Sequence, residues 1–137
     1  MLPAEKPPRT MAWHFEKHYT LEEARALLPQ VRKWLARLDQ LRDDLEKQEQ
    51  RLEGLRAPGC DLGGSLVNSW VRSLAATKEM FLEFHRRDIQ IKDVARGLID
   101  FPAIIGGKEV FLCWEQDEDD IEFWHDLDSG YAGRERL

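Results

Sequence analysis

Apolar residues recur at alternating intervals of three and four along two stretches of the chain, a spacing that places them on one face of an α-helix. The first stretch carries Val31, Trp34, Leu38, Leu41, Leu45, Gln48, Leu52 and Leu55. The second carries Val67, Trp70, Leu74, Thr77, Phe81 and Phe84. A glycine-rich group at residues 57–64 separates them. The pattern predicts an antiparallel, coiled-coil-like helical hairpin over about residues 20–87, in which Leu74 and Phe81 face the first helix.

Local signals define how the first helix begins. Thr20 and Glu23 form a capping-box pattern, in which each side chain bonds to the other residue's backbone amide. Residues 13–19 alternate large and polar side chains, which predicts a short strand. Pro29 lacks an amide hydrogen, so it predicts a kink or break after the first two turns. Residues 1–12 hold three prolines and few apolar side chains, which predicts a flexible tail.

The periodicity changes from helical to alternating after Arg87. Strands are predicted at residues 89–92, 98–104, 108–114 and 121–125, with Gly106 and Gly107 in a tight turn. The fold class is therefore α+β, a long helical hairpin packed with a small antiparallel β-meander over about residues 89–125. Residues 126–137 form a C-terminal tail, and residues 13–137 form one domain.

Element lengths predict how the layers cover one another. A helix over residues 66–87 is roughly 33 Å long, whereas strands of five or six residues reach about 17–20 Å. The sheet is thus too short to cover the hairpin, and Val71 widens the apolar stripe of the second helix. These features predict a homodimer formed through the hairpins. The strand at residues 98–104 is apolar on both faces, so a second layer over the sheet is also expected.

The number and distribution of charged residues disfavour some classes of protein. The 137 residues carry a formal net charge of −6, and residues 115–128 hold eight acidic side chains without Lys or Arg. An acidic chain with helices of mixed sign does not favour nucleic-acid binding. The longest uncharged stretch, residues 62–71, is too short to span a membrane, and no leader peptide is recognised. A soluble, cytoplasmic protein is expected.

Several polar residues near the predicted sheet could carry chemistry. Asp100 stands in an apolar strand and needs a partner, for which Arg134, Lys92 or a backbone amide are available. The catalytic candidates are Asp100, His125 and Arg134, as acid, base and anion holder. The ligand-binding candidates are Lys92, Asp93, Asp100, Cys113, Trp114, His125 and Arg134.

No metal site is predicted. His14 and His18 lie about 13 Å apart if their segment is a strand. A zinc site from Cys113 and His125 would need two more ligands, and the chain has no Cys-x-x-Cys pair. The weak metal candidates are His125, Asp126 and Asp128. Cys60 and Cys113 are predicted to be free thiols, because the hairpin turn and the sheet are far apart.

Short blocks of sequence are similar to a known family. They lie at residues 19–29, 92–93, 97–102, 112–114, 124–125 and 130–134, and include Asp-Phe-Pro, Leu-Cys-Trp and Trp-His in that order. Over residues 19–137 the chain resembles the domain-of-unknown-function family 2203. This resemblance implies a bacterial or archaeal origin and no assigned activity.

The leading hypothesis is a non-enzymatic module that dimerises through its hairpin and binds a partner or a small anionic ligand at the sheet. One alternative is a small hydrolase-like enzyme with a pocket around Asp100, His125 and Arg134. The other is a metal-binding protein. No cofactor is expected, and the sequence does not specify a substrate, partner or pathway.

Overall fold

The computed structural model describes residues 13–55 and 64–137. Helices α1 (Leu21–Gly54) and α2 (Gly64–His85) precede strands β1 (Gln90–Asp93), β2 (Leu98–Ile105), β3 (Lys108–Glu115) and β4 (Phe123–Asp126). A 3-10 helix (Tyr131–Gly133) and strand β5 (Glu135–Arg136) follow. The predicted α+β fold, a helical hairpin with an antiparallel meander, is confirmed, and the C-terminal segment adds a fifth strand. The predicted tail, residues 1–12, and residues 57–63 of the glycine-rich group lie outside the described residues.

Helix α1 begins at the predicted capping box, with Thr20 accepting from the amide of Glu23 and Glu23 accepting in return. The predicted break at Pro29 is wrong, because α1 runs without interruption through it, from Leu21 to Gly54, 34 residues in all. Pro29 lies on the exposed side of the helix. A carbonyl that loses its helical donor there can bond to water, so the helix tolerates the proline. Neither α1 nor α2, as described, is long and apolar enough to cross a membrane.

The side of α2 that packs on α1 keeps Phe84 of the predicted seam but excludes two of its other members, Leu74 and Phe81. Leu74 and Phe81 are 40% and 41% exposed, whereas Ser73 and Phe84 are buried. The Phe84 ring meets Trp34 of α1 edge to face at 5.3 Å. The Thr77 hydroxyl donates to the carbonyl of Ser73, so both polar groups are satisfied inside the helix. The small side chain of Ser73 thus occupies the buried side of α2, and the larger Leu74 and Phe81 lie outside it.

The sheet has the strand order β1-β2-β3-β4-β5 with antiparallel neighbours. Strands β2 and β3 pair without interruption from Leu98 opposite Glu115 to Ile105 opposite Lys108. Gly106 and Gly107 join them with φ values of 58° and 78°. Two successive positive φ angles define a type I′ turn, which matches the twist of the strands.

Each face of the sheet has its own cover. The face that includes Ile99, Phe101 and Trp114 joins the first half of α1 in the main apolar core. The opposite face includes Asp100, Phe111 and Cys113, because side chains alternate along a strand. The Phe15 ring lies against Phe111 at 5.4 Å. The second layer expected over the sheet is thus supplied by the segments that precede α1 and follow β4.

The predicted strand at residues 13–19 is wrong, because four of its amides bond to side-chain carboxylates, and only the amide of Tyr19 is shown donating to a backbone carbonyl, that of Pro102 in β2. His14 and Phe15 donate to the Glu109 carboxylate at 2.8 and 3.1 Å. Glu16 and Lys17 donate to Oδ2 of Asp88 at 3.1 and 2.9 Å. Because these amides donate to carboxylates, they cannot form the backbone hydrogen bonds of a strand. The Glu109 carboxylate of β3 nevertheless holds the segment against the sheet.

Candidate functional site

Three neighbouring strands bring Asp100, Cys113 and His125 together on the second face of the sheet. Asp100 of β2 is directly opposite Cys113 of β3. Cys113 is opposite Phe123 of β4, so His125, two residues further on, lies diagonally across on the same face. One potential ligand atom from each of the three side chains lies within 4.8 Å of the other two, and all three residues are buried. The alternation of the strands therefore builds this cluster from residues far apart in sequence.

Asp100 and His125 form a buried hydrogen-bonded pair. His125 Nε2 lies 2.9 Å from Asp100 Oδ2, and both side chains are 2% exposed. His125 Nδ1 lies 2.7 Å from the Asp126 carbonyl, which can only accept a hydrogen bond, so Nδ1 carries a hydrogen. The contact between Nε2 and the carboxyl oxygen then requires one further proton, held by either group. Burial raises the pKa of Asp100, and the nearby His125 opposes this rise.

Cys113 completes the cluster as a protonated thiol. Burial, reinforced by the Asp100 carboxyl and partly offset by Arg134, raises the pKa of Cys113 to about 12. A thiol with this pKa is a weak nucleophile at neutral pH, because the thiolate is the reactive form. Cys113 is a free cysteine, as predicted, while Cys60 lies outside the described residues.

Arg134 approaches the cluster from the C-terminal segment. Its guanidinium binds Glu118 through two contacts of 3.2 and 2.7 Å and lies 3.8 Å from the Cys113 sulfur. It also lies over the rings of Phe123 and Tyr131, at 3.8 and 4.3 Å from their centroids. Burial lowers the pKa of Arg134, but the bonds to Glu118 and Cys113 outweigh this and raise it. The expectation that Arg134, Lys92 or a backbone amide pairs with Asp100 is therefore wrong, because Asp100 pairs with His125 and Arg134 pairs with Glu118.

A cavity of about 290 Å³ opens beside the cluster. Its walls include Lys92, Asp100, Cys113, His125 and residues 127–131, and we call it the sheet cavity. The Lys92 ammonium lies 5.0 Å over the Phe111 ring and has no carboxylate within 4.0 Å among residues 13–55 and 64–137. Lys92 is exposed, and its positive charge opposes the rise that burial causes in the pKa of Asp100.

Three of the predicted ligand-binding residues do not line the cavity: Asp93, Trp114 and Arg134, whose guanidinium is bound to Glu118. Asp93 accepts from the amide of Arg96 in the turn between β1 and β2. Trp114 points into the helix-facing core, and its indole donates to the carbonyl of Glu118. Of the weak metal candidates, Asp126 binds Lys108 at 2.7 Å, whereas Asp128 lines the cavity.

Nothing in the sequence predicted the wall of the sheet cavity or a second polar cluster around Glu109. Leu127, Ser129 and Tyr131 line the cavity but belong to a segment without periodicity. His14 and His18, which were not expected to act together, both contact the Glu109 carboxylate, at 3.1 and 2.7 Å. The alternation of β3 places Glu109 on a face, but no sequence signal connects it to histidines more than 90 residues away.

These features define a class of α+β protein with a helical hairpin, an antiparallel meander and a buried Asp-His-Cys cluster under its C-terminal segment. A family model described as "Uncharacterized conserved protein (DUF2203)" matches residues 17–137. The chain belongs to this family, which confirms the resemblance. No curated protein and no solved structure significantly matches the chain.

Proposed function

We propose that this protein binds a small anionic molecule in the sheet cavity. The observation that carries the proposal is the unpaired Lys92 ammonium, which lines the same cavity as the proton-holding Asp100–His125 pair. An ammonium without a carboxylate partner offers three donors to an acidic ligand. With one shared proton the Asp100–His125 pair is neutral overall, so it leaves the positive charge of Lys92 uncancelled.

The size and walls of the cavity limit the ligand. A volume of about 290 Å³ accommodates roughly ten water-sized groups at about 30 Å³ each. Asp128 also lines the cavity, so a ligand that carries a hydrogen-bond donor besides its acidic group would contact both charged side chains. A small carboxylate or phosphate compound meets these conditions.

The experiment is an NMR titration of the labelled protein with inorganic phosphate and, separately, with malonate at constant ionic strength. Saturable shifts are expected for amides around Lys92, Cys113 and Ser129. Lys92→Ala should weaken binding by at least about tenfold, because it removes a charged hydrogen bond. Lys78→Ala, at an exposed position of α2, is the matched control and should bind as the wild type does. Equal responses of the two variants would contradict the proposal.

The surface of α2 supports a second proposal, that two copies pair through their hairpins. Val71, Leu74 and Phe81 are 50%, 40% and 41% exposed and follow one another at helical spacing along one stripe. About a two-fold axis at Leu74, Val67 of one copy would meet Phe81 of the other. The stripe is therefore self-complementary, as a symmetric dimer interface must be.

Sedimentation velocity over a range of concentrations tests the dimer. Leu74→Glu should shift the equilibrium to monomer, since it places two buried charges at the axis. Arg72→Glu, at an exposed position on the side of α2 away from the stripe, should leave the dimer intact. A wild-type protein that remains monomeric at every concentration would refute the pairing.

A further inference from the structure

We propose that Asp100, Cys113 and His125 bind a divalent transition metal of the zinc class through a carboxylate oxygen, the sulfur and Nε2. Zinc bonds of 2.0–2.3 Å to O, N and S ligands place tetrahedral ligand atoms about 3.3–3.8 Å apart. The three candidate atoms already lie within 4.8 Å of one another. Small side-chain rotations therefore suffice to close the site around an ion.

An unsatisfied polar atom in the cluster points to a missing ligand. Asp100 Oδ1 is buried, and in the part of the chain that the structure describes no hydrogen bond of good geometry reaches it; besides His125, only the weakly donating thiol of Cys113 interacts with this carboxyl as a hydrogen-bond partner. A buried carboxyl oxygen without a partner is costly, and native structures rarely leave one so. A metal ion among the three side chains would satisfy this oxygen.

Two of the three candidate ligands are already oriented by groups behind them. The Asp126 carbonyl accepts the Nδ1 hydrogen of His125, which leaves Nε2 to offer its lone pair. Arg134 directs Nη1 at the Cys113 sulfur, and Glu118 holds the guanidinium in place. Hydrogen bonds of this kind fix the tautomer of a metal-binding histidine and stabilise a thiolate.

The charge of the site is conserved when a divalent ion enters. The thiol of Cys113 loses one proton, and the Asp100–His125 pair loses the one proton it shares. The ion then meets a thiolate, a carboxylate and a neutral imidazole, so the buried site is neutral before and after binding. Neutrality favours binding, because a buried net charge would be strongly disfavoured.

The donor set also selects the metal. Sulfur and imidazole favour zinc-class ions, whereas Mg²⁺ and Ca²⁺ prefer oxygen ligands. Three protein ligands leave the fourth position to water or to an exogenous ligand from the adjacent sheet cavity. The metal site shares the sheet cavity with the proposed anion, and only in this respect does the inference rest on the proposed function. The metal ion can bind without an anion.

The test is a titration of the full-length, chelator-treated protein with Co²⁺ and then Zn²⁺. One equivalent of Co²⁺ should produce a near-ultraviolet thiolate-to-cobalt charge-transfer band, and Zn²⁺ should abolish it. Cys113→Ser should remove the band, while Cys60→Ser, which leaves Cys113 as the sole thiol, should retain it. Asp100→Asn should weaken Zn²⁺ binding by at least about tenfold.

The inference is overturned if the wild type binds no stoichiometric Co²⁺, or if Cys60→Ser loses the band. Because the Cys60→Ser protein by itself identifies the bound sulfur, the test stands even if Cys113→Ser fails to fold. Phosphate and malonate titrations of the metal-free protein separate the two proposals. Anion binding without metal binding refutes only the metal site, and the reverse result refutes only the anion ligand.

Discussion

One carboxylate, Glu109, attaches the segment before α1 to the sheet. It accepts two backbone amides, from His14 and Phe15, and contacts the imidazoles of both His14 and His18. Its side chain is 6% exposed and that of His18 is 16% exposed, whereas the His14 side chain is 78% exposed. Burial would raise the pKa of Glu109, but the bonds from His18, His14 and Phe15 outweigh it and hold the pKa below its ordinary value.

A lowered pKa makes this attachment dependent on pH. The contribution of Glu109 to stability is fully present above its ordinary pKa of 4.5 and is lost as the pH falls through the lower folded value. Glu109→Gln should reduce the free energy of unfolding by about 2 kcal/mol at neutral pH, because its amide cannot accept at both positions. Urea unfolding at several pH values measures this loss, which should shrink below pH 4.5.

Glu79→Gln, at an exposed position of α2, is the control and should change stability little at any pH. A loss for Glu109→Gln that is the same at pH 3 and pH 7 would show that the side chain acts through packing and not through its charge.

At the residue scale the sequence predicted part of the site. An acidic residue in an apolar strand identified Asp100 as needing a partner, and alternation placed Cys113 on a predicted neighbouring strand. The choice of His125 over Arg134 could not be predicted, because it depends on the register of β4 against β3. A shift of one residue would turn His125 to the opposite face.

In the helical hairpin, the two helices could be predicted from the sequence, but the side of α2 that contacts α1 could not. The spacing of three and four correctly identified both helices. In α2, however, this spacing is compatible with either of two neighbouring faces as the contact with α1. In the structure the buried side of α2 carries Ser73 and Phe84, of which only Phe84 belongs to the predicted seam. Hydrophobicity alone favoured Leu74 and Phe81, which are outside the contact.

This packing predicts different outcomes for two neighbouring substitutions on α2. Ser73→Leu inserts a large side chain between closely packed helices and should destabilise the protein by about 1–3 kcal/mol. Ala75→Leu adds similar bulk on the exposed side and should change stability by less than about 0.5 kcal/mol. Thermal unfolding of both variants measures the difference. Equal losses would mean that α2 contacts α1 through another face.

At the scale of the whole molecule, the site is closed by the end of the chain. Residues 127–131 form one wall of the sheet cavity, and Arg134 fixes this segment to Glu118 in the loop after β3. The guanidinium also lies between two aromatic rings, Phe123 and Tyr131. The sequence could not predict this closure, since the segment has no periodicity and its contacts follow from the positions of β3 and β4.

Arg134→Ala should therefore loosen the cavity wall without unfolding the sheet. Hydrogen exchange should accelerate by about 30-fold at the Ser129 and Gly133 amides, which bond within this segment, if about 2 kcal/mol of local stability is lost. Arg136→Ala is the matched control, because its side chain is exposed and lies 4.0 Å from Glu122, so its effect should be small. Amides of β2 and β3, such as Ile99 and Leu112, should keep their wild-type rates in both variants. If they accelerate as much as Ser129 does in Arg134→Ala, then Arg134 supports the whole fold and the segment is not an independent wall of the cavity.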